Sequence, residues 1–185
     1  MRRLRTLVLA LLALLVILPV PAWASIEVAF YSREMGGNNF PHAFVTLKGT
    51  VDGTGEVIDT SWGFTAKTLT PAILWGSVAG EVLVEGERQI ARSDRQFALV
   101  LTDERYGAVM AVVERWRTRR QPSYNLNRRN CIHFVAEIAE AAGLTVDYPR
   151  ELMRRPRSYL QHVRTLNPQL QDPAIDAPPV AAPSF

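Results

Sequence analysis

Apolar and polar positions first alternate along this chain with a period of two, then switch to a period near 3.6. Residues 26–33 have strand character, and residues 42–50 alternate cleanly. In the second stretch Ala43, Val45 and Leu47 share one face, and His42, Phe44 and Thr46 share the other, because strand side chains repeat every two residues. Gly36, Gly37, Asn38 and Asn39 break the chain between these stretches. Asp52, Gly53, Thr54 and Gly55 form a hairpin turn signal, so residues 56–62 are expected to pair back as a strand. Residues 63–77, with Trp75, are expected to be a loop or lid, and residues 79–85 and 95–101 to be further strands. From Asp103 to Arg119 the apolar positions Tyr106, Val109, Met110, Val113 and Trp116 fall on one helical stripe. Thr102 is the expected N-cap of that helix. A second helix is expected from Cys131 to about Ala142, capped by Asn130 and stopped by Gly143. Pro149 or Pro156 opens a third, carrying Tyr159, Leu160, Val163 and Leu166.

The termini differ from this middle in composition. Arg2, Arg3 and Arg5 precede an apolar run from Leu7 to Val20, followed by Ala22, Trp23 and Ala24. This basic, then apolar, then small-residue order predicts a secretory signal peptide over residues 1–24. The run falls short of the ~20 residues that span a bilayer, and Pro19 and Pro21 interrupt its end. Both facts disfavour the competing reading of an uncleaved anchor. No integral span is expected after cleavage, and the protein is expected to be exported, to the periplasm or beyond. From Pro168 the chain is rich in Pro, Ala and Gln, so residues 168–185 are expected to be a disordered tail. One domain, residues 25–167, remains.

Cleavage alters the charge picture. The chain has 21 Lys+Arg against 18 Asp+Glu; three arginines leave with the signal, so 18 face 18. The basic character belongs mostly to the targeting segment and gives no argument for nucleic acid. Three scattered histidines and one cysteine have no zinc-ligand spacing, and no phosphate-binding glycine loop is visible. No metal and no cofactor are expected.

The single cysteine, Cys131, stands where the second helix begins. A helix start is a setting in which a thiolate forms readily. At about 100° per residue, Val135, Ile138, Ala139 and Ala142 cluster near the direction of Cys131, so the thiol points inward. Glu137 and Glu140 mark the wet side, and His133 lies between them. That makes His133 a poor base and a surface histidine by expectation. The inward thiol needs a partner on the sheet, and His42 is the candidate. A buried structural cysteine and a half-buried strand histidine are the competing readings.

His42 opening a strand, a hairpin, a further strand, an amphipathic helix and then Tyr124, Asn130, Cys131 and Phe134 at a helix start resemble the circularly permuted papain-like hydrolases. This is the permuted branch of the NlpC-type superfamily, which includes lecithin–retinol acyltransferase-like enzymes. The resemblance covers about residues 26–165 and has the permuted order, histidine before cysteine. It implies an α+β fold in which the cysteine helix packs on an antiparallel sheet, with Cys131 as nucleophile and His42 as base. It also implies a polar residue on a strand beside His42. A turn centred on Asp52 and Gly53 sets His42 opposite Gly63, whereas one centred on Gly53 and Thr54 sets it opposite Thr65. Asp59, an acid within that strand, is the third candidate, with Ser61 as the alternative. Tyr124 is either an oxyanion donor or a buried loop tyrosine.

The function expected on this basis is an exported thiol hydrolase of amidase or peptidase type. It would act through a thioester acyl-enzyme on a small acyl or peptide substrate such as a cell-wall peptide. Lipid acyl transfer or thioester cleavage on the same fold is the alternative, for which Trp62, Phe64 and Trp75 could line an apolar pocket. A non-catalytic envelope-binding module is the reading of a different class.

Overall fold

A computed structural model of the chain describes residues 26–34, 40–120 and 123–170. The expected signal segment, the break at 36–39 and the tail beyond 170 lie outside those residues. The strands are β1 (Ile26–Arg33), β2 (His42–Thr50), β3 (Val57–Ala66), β4 (Val78–Leu83), β5 (Asp94–Leu101) and β6 (Ser123–Tyr124). The helices are α1 (Glu87–Ala91), α2 (Asp103–Arg117), α3 (Cys131–Ala141) and α4 (Pro156–Leu166), with a 3-10 turn at Pro71–Leu74. The fold is α+β: one antiparallel sheet in the order β5-β1-β2-β3-β4-β6, packed against helices.

The β2–β3 ladder sets Thr46 opposite Ser61 and Lys48 opposite Asp59. This is the register centred on Gly53 and Thr54. The first turn of α2 holds the hairpin, since the amides of Asp52 and Gly53 donate to the Asp103 carboxylate at 3.1 and 2.9 Å. Two expected boundaries move. β3 continues to Ala66, because Phe64 and Ala66 are buried and residues 63–66 pair with β4, so the expected loop starts later. β4 stops at Leu83, which takes Glu85 out of the strand. The single-turn α1 and the two-residue β6 have no counterpart in the sequence reading, because neither is long enough to set up a period.

α2 packs on α3, α3 lies across β2 and β3, and α4 lies on β1 and β5. Val28, Phe30, Val45, Leu47 and Phe97 supply the sheet side of this core, and Val109, Trp116, Phe134, Ile138 and Leu160 the helix side. Trp116 stands edge-on to Phe64 at 4.8 Å and to Phe134 at 5.4 Å. The N-cap of α2 is Thr102, whose side chain accepts from the Arg105 amide, and the helix ends at Arg117. Gly143, at φ +94°, turns the chain after α3, a conformation that suits a residue without Cβ.

The strand order constrains the β4–β5 connection. β4 lies near one edge and β5 at the other, so the chain between them crosses β3, β2 and β1. Its path is fixed by contacts to each: the Ser61 hydroxyl donates to the Glu85 carbonyl at 3.0 Å, His42 bonds Glu85, and an Arg33 Nη1 donates to Gln89. By strand alternation Ser61, His42 and Arg33 share the face opposite Val45 and Leu47. Helices α2, α3 and α4 therefore cover one face, and this connection, with α1 in it, covers part of the other.

Phe134→Ala removes a ring packed on Trp116 in the middle of the helix-side core. It is expected to cost roughly 3–5 kcal/mol, the usual range for emptying a buried aromatic site, measured by urea unfolding.

Candidate active site

Asn130 fixes the start of α3. Its side-chain oxygen accepts from the amides of Ile132 (2.9 Å) and His133 (3.3 Å), and its Nδ2 donates to the carbonyls of Leu126 (2.8 Å) and Met153 (2.6 Å). The Asn130 amide donates to His133 Nδ1 at 3.2 Å, completing a capping box. His133 is thus a half-buried capping residue with its ring against Tyr148, where a plain surface histidine was expected. Burial lowers its pKa against the opposing pull of Glu137, which suits a neutral ring nitrogen accepting from an amide.

Cys131 is the first residue of α3 and is 3% exposed. It points inward, as the helical wheel requires. Its side chain lines the same cleft as His42 and Tyr124, near enough for its charge to raise the pKa of both. His42 opens β2 at the rim of the sheet, where its ring lies against Phe44. The His42 Nε2–H donates to Glu85 Oε1 at 2.8 Å. A carboxylate only accepts, so this bond fixes a proton on Nε2 and leaves Nδ1 as the ring nitrogen that can accept another. Burial lowers the His42 pKa, but the bonds to Cys131 and Glu85 and the charges of both groups outweigh it. The net pKa is raised from 6.5 to about 9. Tyr124 sits on β6, buried beside the sulfur; burial first, then the charge of Cys131 and the bond to it, raise its pKa. Its hydroxyl therefore keeps its proton and can donate.

Glu85, which the sequence reading did not name, is the acid bonded to the His42 ring. It is 8% exposed, its carboxylate reaches His42, and its carbonyl is tied down by Ser61. Ser61 thus acts on the neighbour of His42 and makes no bond to His42 itself. Asp59, the sequence candidate, lies exposed on β3 and pairs with Lys48 across the hairpin at 3.2 Å. Its side chain is on the right face but further along the strand, where the register sets it beside Lys48. Gly63 explains how Glu85 reaches the ring. A Cβ there would lie 2.5 Å from Glu85 Oε1 and 2.8 Å from His42 Nε2. The His42–Glu85 bond occupies the space of the missing side chain.

These groups open into a cleft of about 470 Å³ with walls that include Phe40, Leu69, Ile73, Leu83, Leu126 and Ile132. The aromatic residues expected there are elsewhere. Phe64 is core, Trp62 packs beside it under the Arg117 guanidinium, and Trp75 is 87% exposed. Among the described residues no three His, Cys, Asp or Glu side chains cluster to hold a metal. No helix among them is long and apolar enough to cross a membrane.

Compared with protein-family models, with curated proteins and with solved structures, the chain finds no match.

Two outcomes follow for His42. Gly63→Ala or Glu85→Gln is expected to lower its pKa by more than one unit from about 9, read by NMR titration of the imidazole. His42 binds its proton more tightly folded than unfolded, so the associated stability is full below pH 6.5 and disappears as pH rises through about 9. Urea unfolding of wild type and Glu85→Gln across this window is expected to show the two curves converging at high pH.

Proposed function

We propose that the protein is a thiol acyl hydrolase with Cys131 as nucleophile, His42 as base and Glu85 as the residue that orients the imidazole. The observation that carries this reading is that Cys131, Tyr124, His42 and Glu85 line one cleft, with His42 bonded to the buried Glu85 and its proton affinity raised by both Cys131 and Glu85. A structural cysteine has no use for a histidine whose other nitrogen is held by a buried acid. The permuted papain-like fold is the architecture that best accommodates this order of elements, with the cysteine helix after the histidine strand.

The chemistry runs in two halves. His42 Nδ1 takes the thiol proton, and the sulfur attacks the acyl carbon. The oxygen that becomes negative meets the Cys131 amide, one of the first-turn N–H groups without a helical acceptor. The Tyr124 hydroxyl is a second donor in the same wall. As the tetrahedral species collapses, the bond to the leaving group breaks, His42 returns its proton to that group, and a thioester remains. Water then loses a proton to His42 and attacks the thioester, and the acid departs as the thiol reforms.

An amide of a cell-wall peptide is one substrate class. The apolar walls favour a second, a lipid acyl ester or thioester, because such a cleft is better matched to a hydrocarbon chain than to a peptide backbone. Export to the periplasm or beyond remains the setting proposed for either.

Iodoacetamide is expected to modify Cys131 at neutral pH at least ~10 times faster than a model thiol, with His42→Ala reducing the rate ~10-fold or more. The single cysteine makes intact mass an unambiguous readout. Modification that needs denaturant would sink the nucleophile assignment. Turnover of a panel of amide, ester and thioester substrates separates the two classes, and Cys131→Ala is expected to abolish it.

A further inference from the structure

The cleft carries more positive charge than its chemistry needs. Its charged lining consists of Arg33, His42, Glu85 and Arg154, and Glu85 is committed to His42. Neither arginine forms an ion pair among the described residues: Arg33 Nη1 donates to the neutral Gln89, and Arg154 to the neutral Asn127. Arg33 also has a buried Nε without any acceptor. Two cations without an ionic partner among the described residues thus face one pocket.

Arg33 is held in place from two sides. It is the cross-strand partner of His42 in the β1–β2 ladder, so the two side chains rise from the same face of the sheet. One strand spacing, ~4.8 Å, separates their backbones. Gln89, on the connection that also brings Glu85, fixes one end of the guanidinium. We infer that Arg33 is the specificity-determining anchor for a carboxylate on the substrate, a few bonds from the acyl carbon, with Arg154 adding to the field. A guanidinium matches a carboxylate through two parallel N–H donors, and in a largely apolar pocket that charge-assisted pair is stronger than in water. The inference relies on the thiol hydrolase reading only for where the substrate reacts.

Iodoacetate and iodoacetamide, nearly equal in size and different in charge, test this on the full chain. The ratio of their rates at Cys131 reports the anion site, and the iodoacetamide rate alone reports the nucleophile. Arg33→Met, which keeps the aliphatic stem, is expected to lower the ratio about fivefold or more while leaving the iodoacetamide rate within about twofold. Arg33→Lys, which keeps the charge and loses the paired donors, is expected to give a ratio between those of wild type and Arg33→Met. An unchanged ratio in Arg33→Met, equal slowing of both reagents, or a lysine variant as impaired as the methionine one overturns the assignment. An unreactive thiol would instead defeat the hydrolase reading, and the anion site would still be decided by calorimetry with hexanoate and hexanamide. Hexanoate is expected to bind at least ~10-fold tighter, with the difference lost in Arg33→Met; equal affinities overturn the proposal.

Discussion

The connection from β4 to β5 is the constraint on which the site depends. With β4 near one edge of the sheet and β5 at the other, the chain must cross the three strands between them. It does so against Ser61, His42 and Arg33, one residue from each strand. The same few residues therefore close a face of the sheet, present an acid to the imidazole and steady an arginine at the cleft. Gly63 is the condition for this path, because any side chain there would occupy the space between Glu85 and His42.

The helix layer supplies the other half through Asn130. Four hydrogen bonds from one buried side chain join the first turn of α3, the loop at Leu126 and the turn at Met153. Capping ordinarily contributes about 1 kcal/mol. Here the cap also fixes where the thiol stands relative to the sheet, because Leu126, Asn130 and Cys131 line the same cleft. His133, two residues from the thiol in sequence, is engaged in the cap and turned toward Tyr148, which leaves His42 as the histidine that shares the cleft with the sulfur.

Local patterns in the sequence reached some of this. Alternation over residues 42–50 located β2 and its two faces, and Asn130 before an apolar run located the start of α3 and the inward thiol. The hairpin left two registers open because both turns are chemically acceptable, and the choice depends on bonds from Asp103 that no local pattern contains. Glu85 was out of reach for a deeper reason: its position follows from the order of strands in the sheet, which is a property of the whole fold. Its place at the end of a strand-like run made it look like a pleat residue, although the strand ends at Leu83. Asp59 carried the right chemistry on a neighbouring strand, yet pairing fixes it beside Lys48. Gly63 entered the sequence reading only as the residue opposite His42 in one register, whereas the volume it leaves empty is its contribution.

The two partners of the His42 ring also make the imidazole a different group at different moments of the proposed cycle. In the free site its proton is held between two acidic groups, Cys131 on one side and Glu85 on the other, and both raise its affinity for that proton. Once the sulfur is bound in a thioester it can no longer carry charge, and only Glu85 remains to favour the imidazolium. The ring thus becomes easier to deprotonate when the next step needs a base toward water. In the proposed cycle acylation would lower the proton affinity of the base, and the form that waits for water would more often hold His42 as the neutral ring that can accept from it.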